Sequence, residues 1–170
     1  NDLICEITGP ARAILTGERT ALNFLQTLSA TATAARTFSN AVAGTQATVL
    51  DTRKTLPGLR LAQKYAVVTG GGSNHRIGLY DGILIKENHI FSSGGITPAV
   101  KAALVLANGV MVEVEVESEI EAAEAMAAGA QRLLLDNFSA ENMRSVVALR
   151  NQRYPEITLE ASGNVSLDSI

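Results

Sequence analysis

Beyond residue 44 the sequence alternates short apolar runs with amphipathic segments, and this alternation restricts the possible fold more than any other feature. The apolar runs occupy residues 47–50, 82–85, 110–117, 132–135 and 157–161. Runs of this length between helical patterns predict βα units and a parallel sheet. The pattern fits an open doubly wound sheet or a barrel, although five strands are too few to close an eight-stranded barrel.

The first 44 residues follow a different pattern. Residues 3–8 alternate weakly and predict a short strand, and apolar positions near the 3.6-residue period predict one long helix over residues 17–42. We therefore place the main boundary at Gly44. Residues 1–44 would form the end of a preceding domain and a connecting helix, and residues 45–170 would form a partial α/β barrel.

Composition excludes several classes of protein. A net charge of −3 argues against electrostatic binding of nucleic acid, and the single cysteine, Cys5, excludes a disulfide scaffold or a cysteine-rich metal site. No apolar run approaches the roughly 20 residues that span a bilayer, and no export signal is apparent. We expect a cytoplasmic protein with no membrane partner. Because the chain begins with Asn1, we also expect it to be part of a longer protein.

Polar residues stand at the end of every predicted strand. They are Arg53 and Lys54, Lys86 and Glu87, Glu115 and Glu117, Asp136, and Ser162 with Gly163. Parallel strands end at one edge of a sheet, so these side chains would line one mouth. Solvent exposure explains the polarity of any single strand end about as well, but it explains five in succession poorly. Cations mixed with carboxylates suit an anionic substrate bridged by Mg²⁺.

The strand over residues 112–117 alternates valine with Glu113, Glu115 and Glu117. This alternation predicts either a solvated edge strand or a strand that turns its glutamates toward a polar mouth. Arg19 falls in the first turn of the predicted long helix, where the macrodipole disfavours a cation. It would form a surface ion pair with Glu18 or contact an anion, across a subunit boundary in the second case.

A glycine run over residues 70–72 precedes His75 and Arg76, which could form an anion-binding pair. The run is not a Walker loop, because no Gly-Lys-Ser/Thr follows, and it opens no clear helix as a dinucleotide fingerprint does. Taken alone, His75 is more often a structural hydrogen-bonding residue than a catalytic one.

Seven motifs occur in the order in which a known family has them. They are GERTALN at 17–23, DTRKTLPG at 51–58, NHR at 74–76, IKENH at 85–89, EVEV at 113–116, LDNF at 135–138 and ASGN at 161–164. Over nearly all its length the chain resembles the quinolinate phosphoribosyltransferases. The resemblance implies the end of an N-terminal α/β sandwich domain followed by a TIM-like incomplete α/β barrel. It also implies a homodimer or a larger assembly of dimers.

The resemblance further implies an activity. Phosphoribose would pass from phosphoribosyl pyrophosphate to quinolinate with decarboxylation, giving nicotinate mononucleotide, pyrophosphate and CO₂ for NAD biosynthesis, with Mg²⁺ required. The alternatives are an enzyme for a related pyridine acid, a molybdenum-associated paralogue, a Schiff-base aldolase with Lys86 as nucleophile, and a non-catalytic phosphosugar-binding module. The family continues beyond residue 170, so we expect little turnover from these residues alone.

Site roles follow from the same resemblance. Arg53, His75, Arg76 and Lys86 would hold the quinolinate carboxylates, and Arg19 would join them from the neighbouring subunit. Lys54 would contact the phosphoribosyl donor, and Ser162 and Gly163 would lie near its phosphate. Glu115 and Asp136, together with Glu87, would meet the metal ion or the ribose hydroxyls. The expected catalytic residues are Lys54, Lys86, Glu115 and Asp136.

Overall fold

A computed structural model describes residues 2–170, which form two compact units divided between His75 and Arg76. The first unit contains the helices α1 (Ala11–Ala41) and α2 (Arg60–Thr69). The second contains, in chain order, β1 (Ile83–Ile85), α3 (Glu87–Ser93), α4 (Ile96–Leu106), β2 (Val112–Val116), α5 (Glu119–Ala128), β3 (Arg132–Asp136), α6 (Ala140–Arg153) and β4 (Thr158–Ser162). The boundary expected at Gly44 concerns domain organisation and stays a prediction.

Two sequence predictions for the first unit are wrong. Residues 3–8 form no strand, and α1 begins at Ala11, six residues before the predicted start at 17. The early start follows Pro10, whose carbonyl accepts from the N–H groups of Ala13 and Ile14. Proline fixes φ at a value suited to a helix start, and its missing N–H is not needed there. The 3.6-residue period located the helix correctly but not its beginning.

The predicted strand over residues 47–50 is reduced to a single parallel bridge between Leu50 and Ser73. Two backbone hydrogen bonds accompany this bridge, from Ser73 N–H to the Val49 carbonyl and from Asp51 N–H to the Ser73 carbonyl. Ser73 lies just after the glycine run that ends α2. A Cβ at Gly70 would lie 2.4 Å from the carbonyl oxygen of Ala32, so a larger residue would push α2 away from α1. Packing therefore explains this glycine without any anion.

The second unit is a four-stranded parallel sheet in the order β1-β2-β3-β4, which confirms the predicted α/β class and is consistent with an incomplete barrel. Sequential strands are neighbours, as βα units require. Helix starts are set locally: the hydroxyl oxygens of Ser118 and Ser139 accept from backbone N–H groups at the starts of α5 and α6. Gly129 ends α5 in a left-handed conformation, as a C-terminal glycine commonly does.

The core of the second unit lies between one face of the sheet and the helices. Val112, Val114 and Val116 of β2 are completely buried, as is Leu133 of β3. They pack with Ala122 and Ala125 of α5 and with Val100 of α4, among other residues. Within residues 2–170, no helix combines the length and apolar character that crossing a bilayer requires.

Candidate functional site

The carboxyl edge of the sheet brings predicted site residues together. Register pairs Ile85 with Val114 and Asp136 with Ser162. Lys86 therefore follows β1 beside Glu115, and its Nζ lies 2.5 Å from Glu115 Oε2. Asp136 lies directly opposite Ser162 at the ends of β3 and β4. One edge of the sheet thus carries a cation, two carboxylates and a hydroxyl.

The two faces of the sheet differ in chemistry. Residues that pair across strands lie on the same face, so Glu115 shares a face with Leu134, and Glu113 shares it with Arg132. This face also carries Glu160, while the valines of β2 fill the opposite, helix-covered face. Because β2 lies between β1 and β3, the prediction of a solvated edge strand is wrong, and the alternative of a glutamate-lined polar face agrees with the structure.

Glu113 lies deepest on this polar face, with only 2% of its surface exposed. Burial raises the pKa of its carboxyl group, and the nearby Glu115 raises it further. Arg132, a hydrogen bond with Glu160 and the charge of Arg76 act in the opposite direction. The net direction is upward because desolvation disfavours the charged form more strongly than these neighbours favour it.

Arg76 opens the second unit and supports the chain that leads into β1. Its NH1 donates to the carbonyl of Gly82 at 3.0 Å, and a Cβ at Gly82 would lie 3.2 Å from Arg76 Cβ. The side chain is partly buried and also acts electrostatically on Glu113. The guanidinium is therefore held close to the polar face of the sheet.

In the first unit the Asp51 carboxylate is a centre of hydrogen bonding. Its Oδ1 forms a short ion pair with Lys64 Nζ and accepts from the backbone N–H of His75 at 2.9 Å. With the Asn74 amide nitrogen facing Asp51, that nitrogen donates to Oδ2 at 2.7 Å. Lys64 Nζ also donates to the His75 carbonyl at 2.9 Å. The segment that begins at Asp51 is thereby joined to the segment that carries His75.

Arg53 and Lys54 follow Asp51 in an extended turn. The Thr52 hydroxyl oxygen accepts from the N–H of Lys54 at 2.9 Å, and NH2 of Arg60 donates to the Arg53 carbonyl at 3.3 Å. Arg53 Nε is buried and has no hydrogen-bond partner within residues 2–170. Lys54 is exposed and lines a cavity of about 200 Å³ in this unit, together with Asp51, Thr52 and Lys64.

Arg19 is an exposed residue in the third turn of α1, not in its first turn. The macrodipole argument for it is therefore wrong, because the helix begins at Ala11 and the dipole acts within the terminal turns. Arg19 forms no ion pair with Glu18 or any other residue in the described part of the chain. The surface-pair explanation is thus not supported.

The three carboxylates predicted to meet a metal ion do not converge. Within residues 2–170, Glu87, Glu115 and Asp136 do not form a group whose oxygens all lie within 4.8 Å of one another. Glu87 is the exposed first residue of α3, where a carboxylate favours the helix start. Glu115 and Asp136 are partly buried at neighbouring strand ends. Two carboxylates fit a Mg²⁺ ion that takes its other ligands from substrate phosphates and water.

Gly163 follows β4 with φ +86°, and a Cβ there would lie 2.1 Å from Asn137 Oδ1. Only glycine fits this position, and Asn137 belongs to the loop after β3. Sequence reasoning gave no role to Asp51, Lys64 or Asn137. Asp51 and Asn137 stand inside the quoted motifs and so could have been considered, but Lys64 reads as an ordinary helix residue.

Comparisons with known proteins agree on one family. The family model described as quinolinate phosphoribosyl transferase, C-terminal domain, matches residues 31–170. The corresponding N-terminal domain model matches residues 1–29. Both models together cover almost the whole chain.

Individual relatives carry matching names. A probable nicotinate-nucleotide pyrophosphorylase [carboxylating] from Bacillus subtilis is 45% identical over 99% of this chain and 58% of its own length. The human nicotinate-nucleotide pyrophosphorylase [carboxylating] is 41% identical over 98% of this chain and 57% of its own length. The solved structure of the Francisella tularensis nicotinate-nucleotide pyrophosphorylase is 50% identical with a TM-score of 0.88, covering 94% of this chain and 56% of that one. The chain therefore spans less than three fifths of these relatives.

Proposed function

The chain belongs to the quinolinate phosphoribosyl transferase family, and from this premise we propose that the full-length protein transfers phosphoribose from phosphoribosyl pyrophosphate to quinolinate. Decarboxylation would accompany the transfer, giving nicotinate mononucleotide, pyrophosphate and CO₂ for NAD biosynthesis. The observation that carries the proposal is the carboxyl edge of the sheet, where the Lys86–Glu115 pair lies on strands adjacent to the Asp136–Ser162 pair.

Quinolinate is a planar dianion, and its two carboxylates require several cationic or hydrogen-bonding groups. We assign Arg53, His75, Arg76 and Lys86 to this task. The buried Nε of Arg53 supports the assignment, because a carboxylate would supply the acceptor that this N–H lacks among the described residues. Arginine binds such groups through two parallel hydrogen bonds.

Phosphoribosyl transfer develops positive charge on the sugar, which favours carboxylates beside it. We assign Glu115 and Asp136 to the ribose, and Ser162 and Gly163 to its phosphate. Lys54 would contact the donor and stabilise the departing pyrophosphate. Glu115 and Asp136 would also hold Mg²⁺ through oxygen ligands, with Glu87 as a further candidate ligand. When bound, Mg²⁺ would supply charge neutralisation for the diphosphate.

The protein's part in this reaction is positioning and electrostatics. Glu115 lies between Lys86 and the ribose side of the proposed site, so one carboxylate would orient the lysine and face the developing positive charge. Decarboxylation would use the positive ring nitrogen created by the transfer as its electron sink. No nucleophilic side chain is required, in contrast to a Schiff-base aldolase.

We also propose a homodimer, or a larger assembly of dimers, in which Arg19 reaches the neighbouring site. Its exposure and its lack of an ion pair within residues 2–170 support this role. A cytoplasmic location is proposed as well. The exposed free thiol of Cys5 suits a reducing compartment.

The proposal is tested with the full-length protein and quinolinate labelled in the carboxyl group that is lost. We expect labelled CO₂ to be released only when phosphoribosyl pyrophosphate and Mg²⁺ are both present, with nicotinate mononucleotide formed in equal amount. Nicotinate in place of quinolinate should give at most a small fraction of this product. Efficient use of nicotinate would indicate a related pyridine-acid enzyme.

Two further measurements separate the remaining alternatives. Borohydride trapping of Lys86 by a carbonyl substrate would indicate an aldolase. Binding of phosphoribosyl pyrophosphate with no release of CO₂ under any condition would indicate a non-catalytic phosphosugar-binding module. Either result would overturn the proposed activity.

A further inference from the structure

Asn137 connects the two strand ends to which the phosphoribosyl donor is assigned. Its Nδ2 donates to Asp136 Oδ2 at 2.9 Å, and its Oδ1 accepts from Asn164 Nδ2 at 3.1 Å. Its backbone N–H donates to the carbonyl of Ser162 at 2.9 Å. One exposed residue therefore binds the side chain of the β3 end, the backbone of the β4 end and the loop that follows β4.

The backbone in this region is unusual for its residue types. Asn137 and Asn164 have φ values of 55° and 54°, in the left-handed region that asparagine tolerates better than most residues. Gly163 lies between Ser162 and Asn164 with φ +86°, and its α-carbon approaches Asn137 too closely for any Cβ. The asparagine amide and the glycine thus fit against each other, and hydrogen bonds from Asn137 to Ser162 and from Asn164 to Asn137 join the two loops.

We propose that Asn137 is a positioning residue that fixes the Asp136 carboxylate and the Ser162–Gly163 segment relative to each other, so that they bind the phosphoribosyl part of substrate and product. This inference rests on the proposed function. The Asn137 amide nitrogen donates a hydrogen bond to Oδ2 of Asp136, so Oδ1 can accept from a ribose hydroxyl or a metal-bound water. The backbone bond to Ser162 sets how far the phosphate-binding segment lies from that carboxylate.

The position excludes simpler explanations of Asn137. It is exposed, so it does not fill a core, and Ser139, not Asn137, caps α6. A purely structural asparagine in a left-handed turn occurs elsewhere in the same unit: Asn108 has φ 44° in the turn between α4 and β2. Asn108 therefore provides a matched control, since replacing it changes a left-handed asparagine without touching the strand ends.

The test uses the full-length protein with the substitutions Asn137→Gly, Asn137→Asp and Asn108→Gly. Glycine keeps the left-handed backbone and removes the amide. Aspartate keeps an oxygen for Asn164 but replaces the donor to Asp136 with a second negative charge. Calorimetric dissociation constants are measured for nicotinate mononucleotide without metal, for phosphoribosyl pyrophosphate with Mg²⁺, and for quinolinate. Steady-state constants for the two substrates accompany them.

We expect both Asn137 substitutions to weaken binding of nicotinate mononucleotide and phosphoribosyl pyrophosphate about tenfold or more, with aspartate worse than glycine. The dissociation constant of quinolinate should change less than about twofold, and Asn108→Gly should change none of the three beyond that. A KM increase for phosphoribosyl pyrophosphate alone would match this pattern.

Three outcomes would overturn the inference. If Asn137→Gly binds nicotinate mononucleotide as tightly as the wild type does, Asn137 does not position the residues that bind the phosphoribosyl part. If quinolinate binding falls by the same factor, the residue supports the whole site and not this part of it. If wild-type protein binds neither phosphoribosyl ligand, the proposed function fails together with this inference, which distinguishes that failure from the first two.

Discussion

Lys64 and Asp51 form an ion pair inside the first unit, with side chains that are 2% and 6% exposed. The aspartate also accepts from the backbone of His75, and the lysine donates to the carbonyl of the same residue. The pair thus closes a ring that holds His75 in place relative to the turn containing Arg53. Buried charges persist only when paired and hydrogen-bonded, as these are.

Removing one partner of this pair should be strongly destabilising. Lys64→Met leaves the Asp51 carboxylate buried without its cation, which costs about 3–5 kcal/mol in the folded state. Urea or thermal unfolding of the full-length protein measures the effect. Lys101→Met, on the exposed surface of α4, is the matched control and should change stability by less than about 0.5 kcal/mol.

The double variant Lys64→Met with Asp51→Asn checks the cause. It removes both charges, so we expect it to be more stable than Lys64→Met alone even though it carries one more substitution. Additive losses in the double variant would show that the two residues stabilise the unit independently, contrary to the ion-pair explanation.

Glu113 should make stability depend on pH. Its folded-state pKa is raised, chiefly by burial, so the folded protein binds this proton more tightly than the unfolded chain does. The stabilisation that Glu113 contributes is therefore fully present below the ordinary carboxyl pKa of about 4.3 and is lost as pH rises through the raised value. Glu113→Gln is neutral at every pH and should lose this decline. Unfolding midpoints across pH measure the difference.

The control for this prediction is Glu156→Gln, which changes an exposed carboxyl group and should keep the wild-type pH profile. If the stability of Glu113→Gln still declines with rising pH as in the wild type, another residue causes this pH dependence. Glu160 shares a hydrogen bond with Glu113, so the decline belongs to this pair of carboxyl groups and not to Glu113 alone.

Lys86 should matter far more to activity than to stability. Its side chain is 47% exposed in the pair with Glu115, and such surface pairs contribute about 0–1 kcal/mol. Lys86→Met should therefore unfold near the wild-type midpoint, while kcat/KM for quinolinate falls roughly 10- to 150-fold through loss of a charged hydrogen bond. Steady-state kinetics with Lys101→Met as control test this. If Lys86→Met keeps the wild-type kcat/KM, Lys86 does not contribute to binding of the substrate.

Gly163→Ala separates steric fit from backbone conformation. Gly109 has φ +88° with open space around it, whereas Gly163 has φ +86° and would place a Cβ against Asn137. Alanine at either position carries a left-handed backbone cost of about 1–2 kcal/mol. Only Gly163→Ala should lose more than that and also bind phosphoribosyl pyrophosphate more weakly. Equal losses in thermal unfolding would contradict the close fit.

The second unit could be largely predicted from sequence because its signals are local and repeated. The apolar runs that became β1 to β4 have the length of buried strands, and serines precede the helices they cap. In a parallel sheet, correct strand assignment also places the strand ends at one edge. That is why the proximity of Lys86 to Glu115 follows from pattern and register together.

The first unit was harder because its organisation depends on distant contacts. The run over residues 47–50 has a strand-like composition, yet it pairs only at Leu50. Nothing within a few residues of Lys64 indicates that it will be buried, since its partner Asp51 lies 13 positions earlier.

The second unit has a contact of the same kind. The role of Asn137 depends on Asn164, 27 positions later. Contacts between residues so far apart in the sequence cannot be inferred from local patterns and are known only from the folded structure.

Alternate positions along β2 serve different purposes, because the valines face the core and the glutamates face the polar side of the sheet. Substitutions at the buried valines should change whether the chain folds, and substitutions at Glu115 should change what the assembled protein does to its ligands. A mutational scan of this five-residue segment should accordingly yield two interdigitated sets of phenotypes, one in abundance and one in turnover. Substitutions on the polar face could then change substrate preference without lowering the stability of the fold.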